Sequence, residues 1–441
     1  MMTPTPVDLI INARWLAPVV PRNQLLQDCA VVVERGDIIA ITTQKEAAKQ
    51  YQASETVNLD EHLLIPGLVN AHGHAAMSLL RGYADDQPLH TWLSEHIWPA
   101  EQQWVDEHFV RDGTNLAMAE MIRSGTTCFA DMYFFPEAIA EAASRTGMRA
   151  QVAFPVFDFP SNWGSGPDDY IHKGLALRDD HKNDNLIQIA FGPHAPYTIS
   201  DEPLQKVATY SEELATPIHI HLHETAQEIS DEKSKSGLRP IERINQLGAL
   251  SPLTQCVHMT QVNDNDLTLL QNTGAHVIHC PESNLKLASG LCPVQRLLDS
   301  NINVALGTDG AASNNDLSLL GEMKTAALLT KAVADNAAAL DAHSALRMAT
   351  LGGAQALGMA NRIGSIEAGK AADLTAVRLD ELEALPLYNP VSQLVYTDCS
   401  HRVSHVWVNG KALLKDRQLT TLDQSEVIAK AKEWQEKITN R

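Results

Sequence analysis

Pro66-Gly67-Leu68-Val69-Asn70-Ala71-His72-Gly73-His74 is the stretch on which the reading of this chain turns. The apolar run Leu64 to Val69 leads through Asn70-Ala71 into His-Gly-His. Along an extended strand, residues two apart face the same side, so His72 and His74 can chelate one ion from a single strand end. Gly73 lets the backbone bend closely around that ion. Taken alone, the triplet fits two hydrogen-bonded loop histidines as well as a metal site.

The pattern recurs downstream. His219-Ile220-His221-Leu222-His223-Glu224 puts three histidines on one strand face, with Glu224 just past its end. Three inward imidazoles are costly unless a metal, water or polar partner meets them, and a period of two does not choose among them. Val304-Ala305-Leu306-Gly307-Thr308-Asp309-Gly310 ends on an aspartate. His194, after Gly192-Pro193, and His258, after Cys256-Val257, end two more apolar runs. His279 reads as structural.

Around these motifs, strands are expected at 64–70, 127–131, 150–155, 187–192, 218–223, 255–258, 276–279 and 303–307. Helix-like segments separate them, at 112–124, 136–146, 202–214, 240–247 and 262–273 among others. Strands alternating with helices over about 300 residues predict an α/β fold, a (β/α)8 TIM-like barrel, at residues 66–365. No G-x-G-x-x-G follows any strand, which argues against a doubly wound dinucleotide fold. Strand-rich ends, including a hairpin at Asn409-Gly410, predict a small composite β-sandwich domain built from 1–65 and 366–441. The Ala-rich stretch 335–342 reads as helix. The Pro-, Gly-, Ser- and Asp-rich stretch 158–170 reads as a surface loop near the pocket.

Composition narrows the function. The chain has 441 residues, 44% hydrophobic and 20% charged, which excludes a disordered chain or a coiled coil. A formal net charge of −20 repels phosphate backbones and anionic lipid, so neither nucleic acid nor a membrane is an expected partner. No apolar stretch approaches the roughly 20 residues of a span, and the N-terminal residues do not read as a signal peptide. The six cysteines occur singly, without C-x-x-C, as expected of reduced thiols in a soluble cytoplasmic protein. Oligomeric state is not legible, although exposed faces of such barrels often pair into a homo-oligomer.

Histidine or aspartate thus ends five expected strands, always on the side where barrels keep their active sites. Three imidazoles with one carboxylate suit Zn²⁺ or Fe²⁺ rather than Ca²⁺ or Mg²⁺. A position would stay open for water, as at catalytic zinc.

H-x-H after the first barrel strand, His on the fifth and sixth and Asp on the eighth resemble the amidohydrolase superfamily. The wording of residues 66–74, of His221-Leu222-His223-Glu224-Thr225 and of Gly307-Thr308-Asp309-Gly310 resembles its aminohydrolase branch. Within that branch the chain is similar to the 5-methylthioadenosine/S-adenosylhomocysteine deaminases, close to chlorohydrolases and guanine deaminases. The resemblance implies that His72, His74, His221 and Asp309 hold one divalent metal, usually zinc, with Asp309 also handling protons. The family's H-x-x-E pattern selects His221, and it leaves His223 without a role. Glu224 matches the carboxylate that meets the substrate ring nitrogen, and His258 a histidine that orients the attacked group. Glu101 matches a residue binding ribose hydroxyls, and His194 a further substrate contact. The implied activity is hydrolytic deamination of an aminated purine nucleoside, that is 5'-methylthioadenosine, S-adenosylhomocysteine or adenosine. Guanine or pterin deamination and triazine dechlorination are the alternatives on this scaffold, and a barrel without catalysis is a further one. Such deaminases also carry an Arg after strand three, whereas residues 154–175 contain none, which leaves the exact nucleoside open.

Overall fold

The computed structural model describes residues 4–440. An eight-stranded parallel sheet takes its strands in chain order: Leu68–Asn70, Thr126–Met132, Arg149–Val156, Ile187–Pro193, Ile218–Leu222, Thr254–His258, His276–His279 and Val304–Leu306. Its first and last strands meet. The Ala71 amide donates to the Leu306 carbonyl at 2.9 Å, and the Asp309 amide to the His72 carbonyl at 3.1 Å. The Asn70 side-chain amide adds a bond to Thr308 Oγ1 at 2.8 Å. The sheet is therefore closed, a (β/α)8 barrel with helices outside, and both faces of its strands are covered. Thr126–Met132 and Arg149–Val156 are accordingly buried at every position.

Helix ends follow local chemistry. Asp106 accepts from the Phe109 amide at the start of Glu107–Arg123. Pro136–Thr146 begins on its proline and stops at Gly147, whose φ of +79° suits glycine. That helix has the span its sequence predicts.

The second eight-stranded sheet joins the two chain ends, in the order Gln418–Leu419, Lys411–Lys415, Val403–Val408, Leu374–Arg378, Tyr51–Pro66, Thr5–Leu16, Leu26–Glu34 and Asp37–Thr43. It is mixed: Thr5–Leu16 runs parallel to Tyr51–Pro66, while Leu374–Arg378 runs antiparallel to it. Among the described residues no helix is long and apolar enough to cross a membrane.

Three details depart from the sequence reading. The strand expected over 64–70 belongs to two sheets, because the chain crosses from one to the other at Gly67. A Cβ there would lie 2.1 Å from Thr127 Oγ1, so only glycine passes. The Ala-rich stretch is not one helix: turns separate Leu319–Val333 from Ala342–Arg347. Positive φ at Asp335 and Leu340 and an Asn336 side chain accepting from the Ala338 amide set that break. The expected loop 158–170 is shorter, since the helix Pro167–His181 begins within it.

Candidate active site

The polar side chains at the barrel mouth leave their strands where the backbone turns. His223, His258 and Asp309 have φ of +55°, +78° and +60°, a left-handed conformation costing about 1–3 kcal/mol for residues with a side chain. Surrounding bonds hold these bends. The Glu228 carboxylate accepts from the amides of His223 at 2.9 Å and Glu224 at 2.7 Å.

Four side-chain atoms converge there. His72 Nε2 and His74 Nε2 stand 3.3 and 3.2 Å from Asp309 Oδ1, and His221 Nε2 stands 3.3 Å from His72 Nε2. The opposite ring nitrogens are anchored. His74 Nδ1 lies 2.6 Å from the Met132 carbonyl, His221 Nδ1 2.7 Å from the His194 carbonyl, and His72 Nδ1 2.7 Å from His219 Nε2. A carbonyl only accepts, so neutral His74 and His221 carry their proton on Nδ1; His74 then turns a bare Nε2 toward Asp309, and His221 a bare Nε2 toward His72. That is the arrangement of a metal-ligating imidazole.

Electrostatics keeps two of the three imidazoles neutral. Burial pushes His72 and His221 well below the ordinary imidazole range and keeps them neutral. Burial depresses His74 too, but the hydrogen bond and charge of Asp309 outweigh it and lift His74 to about 9. Burial alone would raise Asp309, yet the bonds and charges of His72 and His74 hold it well below the usual carboxylate range. A buried carboxylate held this low needs positive charge beside it, from the His74 proton or from an ion in its place, and three imidazoles with one carboxylate fit a divalent transition ion.

His258 also comes near, and with His72 and His221 it offers a second cluster of ligand atoms within 4.8 Å. Its Nδ1, however, lies 3.0 Å from Asn284 Nδ2, an amide nitrogen that only donates. The ring proton therefore sits on Nε2, which stands 3.7 Å from Glu224 Oε2, beyond hydrogen-bond reach. Ser289 Oγ donates to the other Glu224 oxygen at 2.9 Å.

A cavity of about 750 Å³ opens over these groups and is lined by His74, His194, His221, Glu224, His258 and Asp309. Glu101 lines the same cavity from the helix Trp98–Trp104 and accepts from the Tyr133 hydroxyl at 2.7 Å. Burial raises the Glu101 carboxyl to about 7, although the Tyr133 bond and nearby His74 pull it down. Another lobe is apolar, with Leu89, Trp92, Leu93, Phe134, Phe157 and Phe159, and among the described residues no Lys or Arg lines the cavity.

Every residue singled out in the sequence for metal or substrate thus lies at one barrel mouth. His223 does not join them. Its Nδ1 lies 3.1 Å from the Gln261 carbonyl and its Nε2 accepts from the Ile241 amide at 3.1 Å, so it ties the loop at Gln261 to the start of the helix Pro240–Gln246. His279 is buried at the end of the seventh barrel strand. Sequence reasoning missed Tyr133, Ser283, Asn284 and Ser289. The available signal was Pro281-Glu282-Ser283-Asn284, a polar cluster just past the seventh strand on the productive side of the barrel.

Comparison with known proteins agrees with this geometry. The amidohydrolase family model matches residues 63–413. The chain is 57% identical to a 5-methylthioadenosine/S-adenosylhomocysteine deaminase of Saccharophagus degradans, over 99% of this chain and 98% of that one. A crystal structure of an adenosine deaminase from Xanthomonas campestris with bound zinc superimposes with a TM-score of 0.99 at 46% identity, covering 100% of both chains. An atrazine chlorohydrolase from Arthrobacter aurescens shares the fold, with a TM-score of 0.91 at 23% identity over 97% of this chain and 99% of that one. The convergent histidines and aspartate, and this likeness along the whole chain, make it a member of the amidohydrolase family, in the group that holds the 5-methylthioadenosine/S-adenosylhomocysteine deaminases.

Proposed function

We propose that the protein hydrolytically removes the 6-amino group of an adenine nucleoside, 5'-methylthioadenosine being the substrate it suits best, to give an inosine-type product and ammonia. One observation supports the reading above others: Glu224, His258 and the four converging ligand atoms meet in the cavity that also holds the Glu101–Tyr133 pair. His72, His74, His221 and Asp309 would hold the ion, which we take to be zinc, with ferrous iron as the alternative for metal analysis to separate. Bound there, the ion supplies the Lewis acidity that makes water nucleophilic near neutral pH.

The chain's own groups move the protons. Asp309 takes the proton lost by the attacking water, its Oδ2 held by the Ser283 and Ser313 hydroxyls at 2.7 and 3.0 Å. Attack at the amine-bearing carbon pushes an electron pair onto the neighbouring ring nitrogen. Glu224 delivers a proton to that nitrogen, a contribution of roughly 10²–10⁴-fold. The Nε2–H of His258 hydrogen-bonds the oxygen added at the carbon. Asp309 passes its proton to the amino group, which leaves as ammonia, and the proton remaining on the added oxygen restores Glu224. Glu101 accepts from the ribose hydroxyls, and His194, kept neutral by burial at about 4, contacts the bound nucleoside. Guanine, pterins and triazines carry no ribose for Glu101, which favours the nucleoside reading. All six cysteines are free and buried, which suits a reducing cytoplasm.

Ammonia release from a panel of adenine nucleosides, guanine, a pterin and a triazine, with and without chelator, tests the assignment. Chelator should abolish turnover and zinc restore it. Glu224→Gln should keep its metal and lose turnover by roughly 10²–10⁴-fold. Parent-rate deamination of 5'-methylthioadenosine by that variant would remove Glu224 from the mechanism.

A further inference from the structure

His219 has no part in the reaction as written, yet it is buried one layer below His221 on the same strand face. It is the anchor of His72, and it differs in kind from the anchors of His74 and His221. Those are backbone carbonyls, which fix the tautomer by themselves. An imidazole nitrogen both donates and accepts according to where its proton sits. Something further must decide which end of His72 is bare.

That decision can be traced through the barrel. His219 Nδ1 lies 2.5 Å from Gln255 Oε1 on the next strand. Gln255 Nε2 donates to the Ala356 carbonyl at 2.9 Å and to Gln151 Oε1 at 2.8 Å. Gln151 Nε2 donates in turn to the Leu357 carbonyl at 3.1 Å and to Gln188 Oε1 at 2.8 Å. The two carbonyls stand at the C-terminal end of the helix Gly353–Ala356, where such groups lack partners along the helix. They can only accept, so each glutamine must turn its NH₂ toward them and its oxygen the other way. The Gln255 oxygen then requires a donor, which places the His219 proton on Nδ1 and leaves Nε2 to accept. The His72 proton is then on Nδ1, and its Nε2 lone pair is free.

We propose that His219 is a positioning residue, the link in a one-way hydrogen-bond chain from the Ala356 and Leu357 carbonyls through Gln255 that holds His72 in the tautomer able to ligate a metal ion. The chain rests on the reading that His72 binds through Nε2. Its members touch neither the cavity nor, apart from His219 against His72, any ligand. Partners of this kind commonly set metal affinity by 10–100-fold.

Zinc affinity, measured by chelator competition at one pH, tests the chain. Gln255→Leu, which contacts no ligand, should bind zinc about 10–100-fold more weakly than the parent, with KM for nucleoside unchanged once zinc is saturating. His219→Phe should lose at least as much. His219→Gln, whose amide oxygen can accept from the His72 Nδ1–H, should recover most of the loss. Ring ¹⁵N shifts of the histidine-labelled, zinc-loaded parent should show His219 protonated on Nδ1, a readout independent of how the variants fold. Parent zinc affinity in both Gln255→Leu and His219→Phe, or His219 protonated on Nε2, would overturn the chain. Parent affinity in His72→Ala would instead overturn the ligand assignment, so the two failures are distinct.

Discussion

The Tyr133 hydroxyl donates to Glu101 Oε1 at 2.7 Å, across the cavity wall facing the proposed metal site. The hydroxyl points Glu101 and leaves its other oxygen for substrate. Burial holds the Glu101 carboxyl up at about 7. Below that pH it is protonated and accepts ribose hydroxyls poorly; above it, it is a carboxylate that accepts them well. KM for a nucleoside should therefore fall as pH rises from 6 to 8. Glu101→Gln should raise KM on the order of 10–100-fold, the worth of a hydrogen bond to a charged group, and flatten this dependence. Steady-state kinetics with ribo- and deoxyribonucleosides check both, and a deoxy substrate as sensitive to the variant as its ribo parent would refute the contact.

Asn284 sets the proton on His258. Its amide donates to Nδ1 at 3.0 Å, which keeps Nε2–H available as a donor. Asn284→Asp replaces a donor by an acceptor, moves the proton to Nδ1 and leaves Nε2 bare. The expected result is a fall in kcat on the order of 10²-fold with zinc stoichiometry unchanged. Turnover numbers and metal content, measured on the same preparation, decide it; an unaffected kcat would show that His258 needs no fixed tautomer.

The apolar lobe bears on which nucleoside is preferred. The acidic groups lining the cavity are Glu101, Glu224 and Asp309, and among the described residues no Lys or Arg lines it. A methylthio tail gains by burial against Trp92, Leu93 and Phe157. The amino-acid tail of S-adenosylhomocysteine is a zwitterion whose carboxylate meets no Lys or Arg among the described lining residues, so burying it costs desolvation that the methylthio tail avoids. kcat/KM for 5'-methylthioadenosine should exceed that for S-adenosylhomocysteine by at least about tenfold, or ~1.4 kcal/mol. Phe159, stacked on Phe157 at 4.4 Å between ring centroids and about half exposed, lies at the rim. Phe159→Arg should narrow the gap. Equal efficiencies in the parent would mean that the longer tail reaches solvent.

The barrel strands and the strand-end residues were legible because burial on both faces writes them as short apolar runs, each stopped by one polar residue of distinctive chemistry. Tyr51–Pro66 was not, because most of its first eleven positions are exposed or half-buried and its outward residues are polar. Nor could a period of two separate His219, His221 and His223. All three share a parity, and what distinguishes them is depth: His219 faces a glutamine below, His221 the ligand atoms above, while His223 has left the strand through a positive φ. Glu101 came from resemblance alone, since its partner Tyr133 is 32 residues away and no local pattern joins them.

The two sheets are locked together by a buried ion pair. Arg149, at the start of the third barrel strand, donates to both oxygens of Asp373 at 2.9 and 3.2 Å, and to Asn409 Oδ1 at 2.8 Å. The two side chains are 5% and 2% exposed. Asp373 also accepts from the Asn409 amide in the terminal hairpin, so one carboxylate ties barrel to terminal sheet. Removing one partner strands a buried charge, whereas removing both need not. Asp373→Ala should lower stability by about 3–5 kcal/mol, and Arg149→Met with Asp373→Leu should recover much of it. Zinc-saturated proteins compared by urea denaturation give the measurement. Kinetics below the transition should match the parent in both, because neither residue lines the cavity. A double variant as unstable as the single one would show that the bonds to Asn409 matter more than the charges.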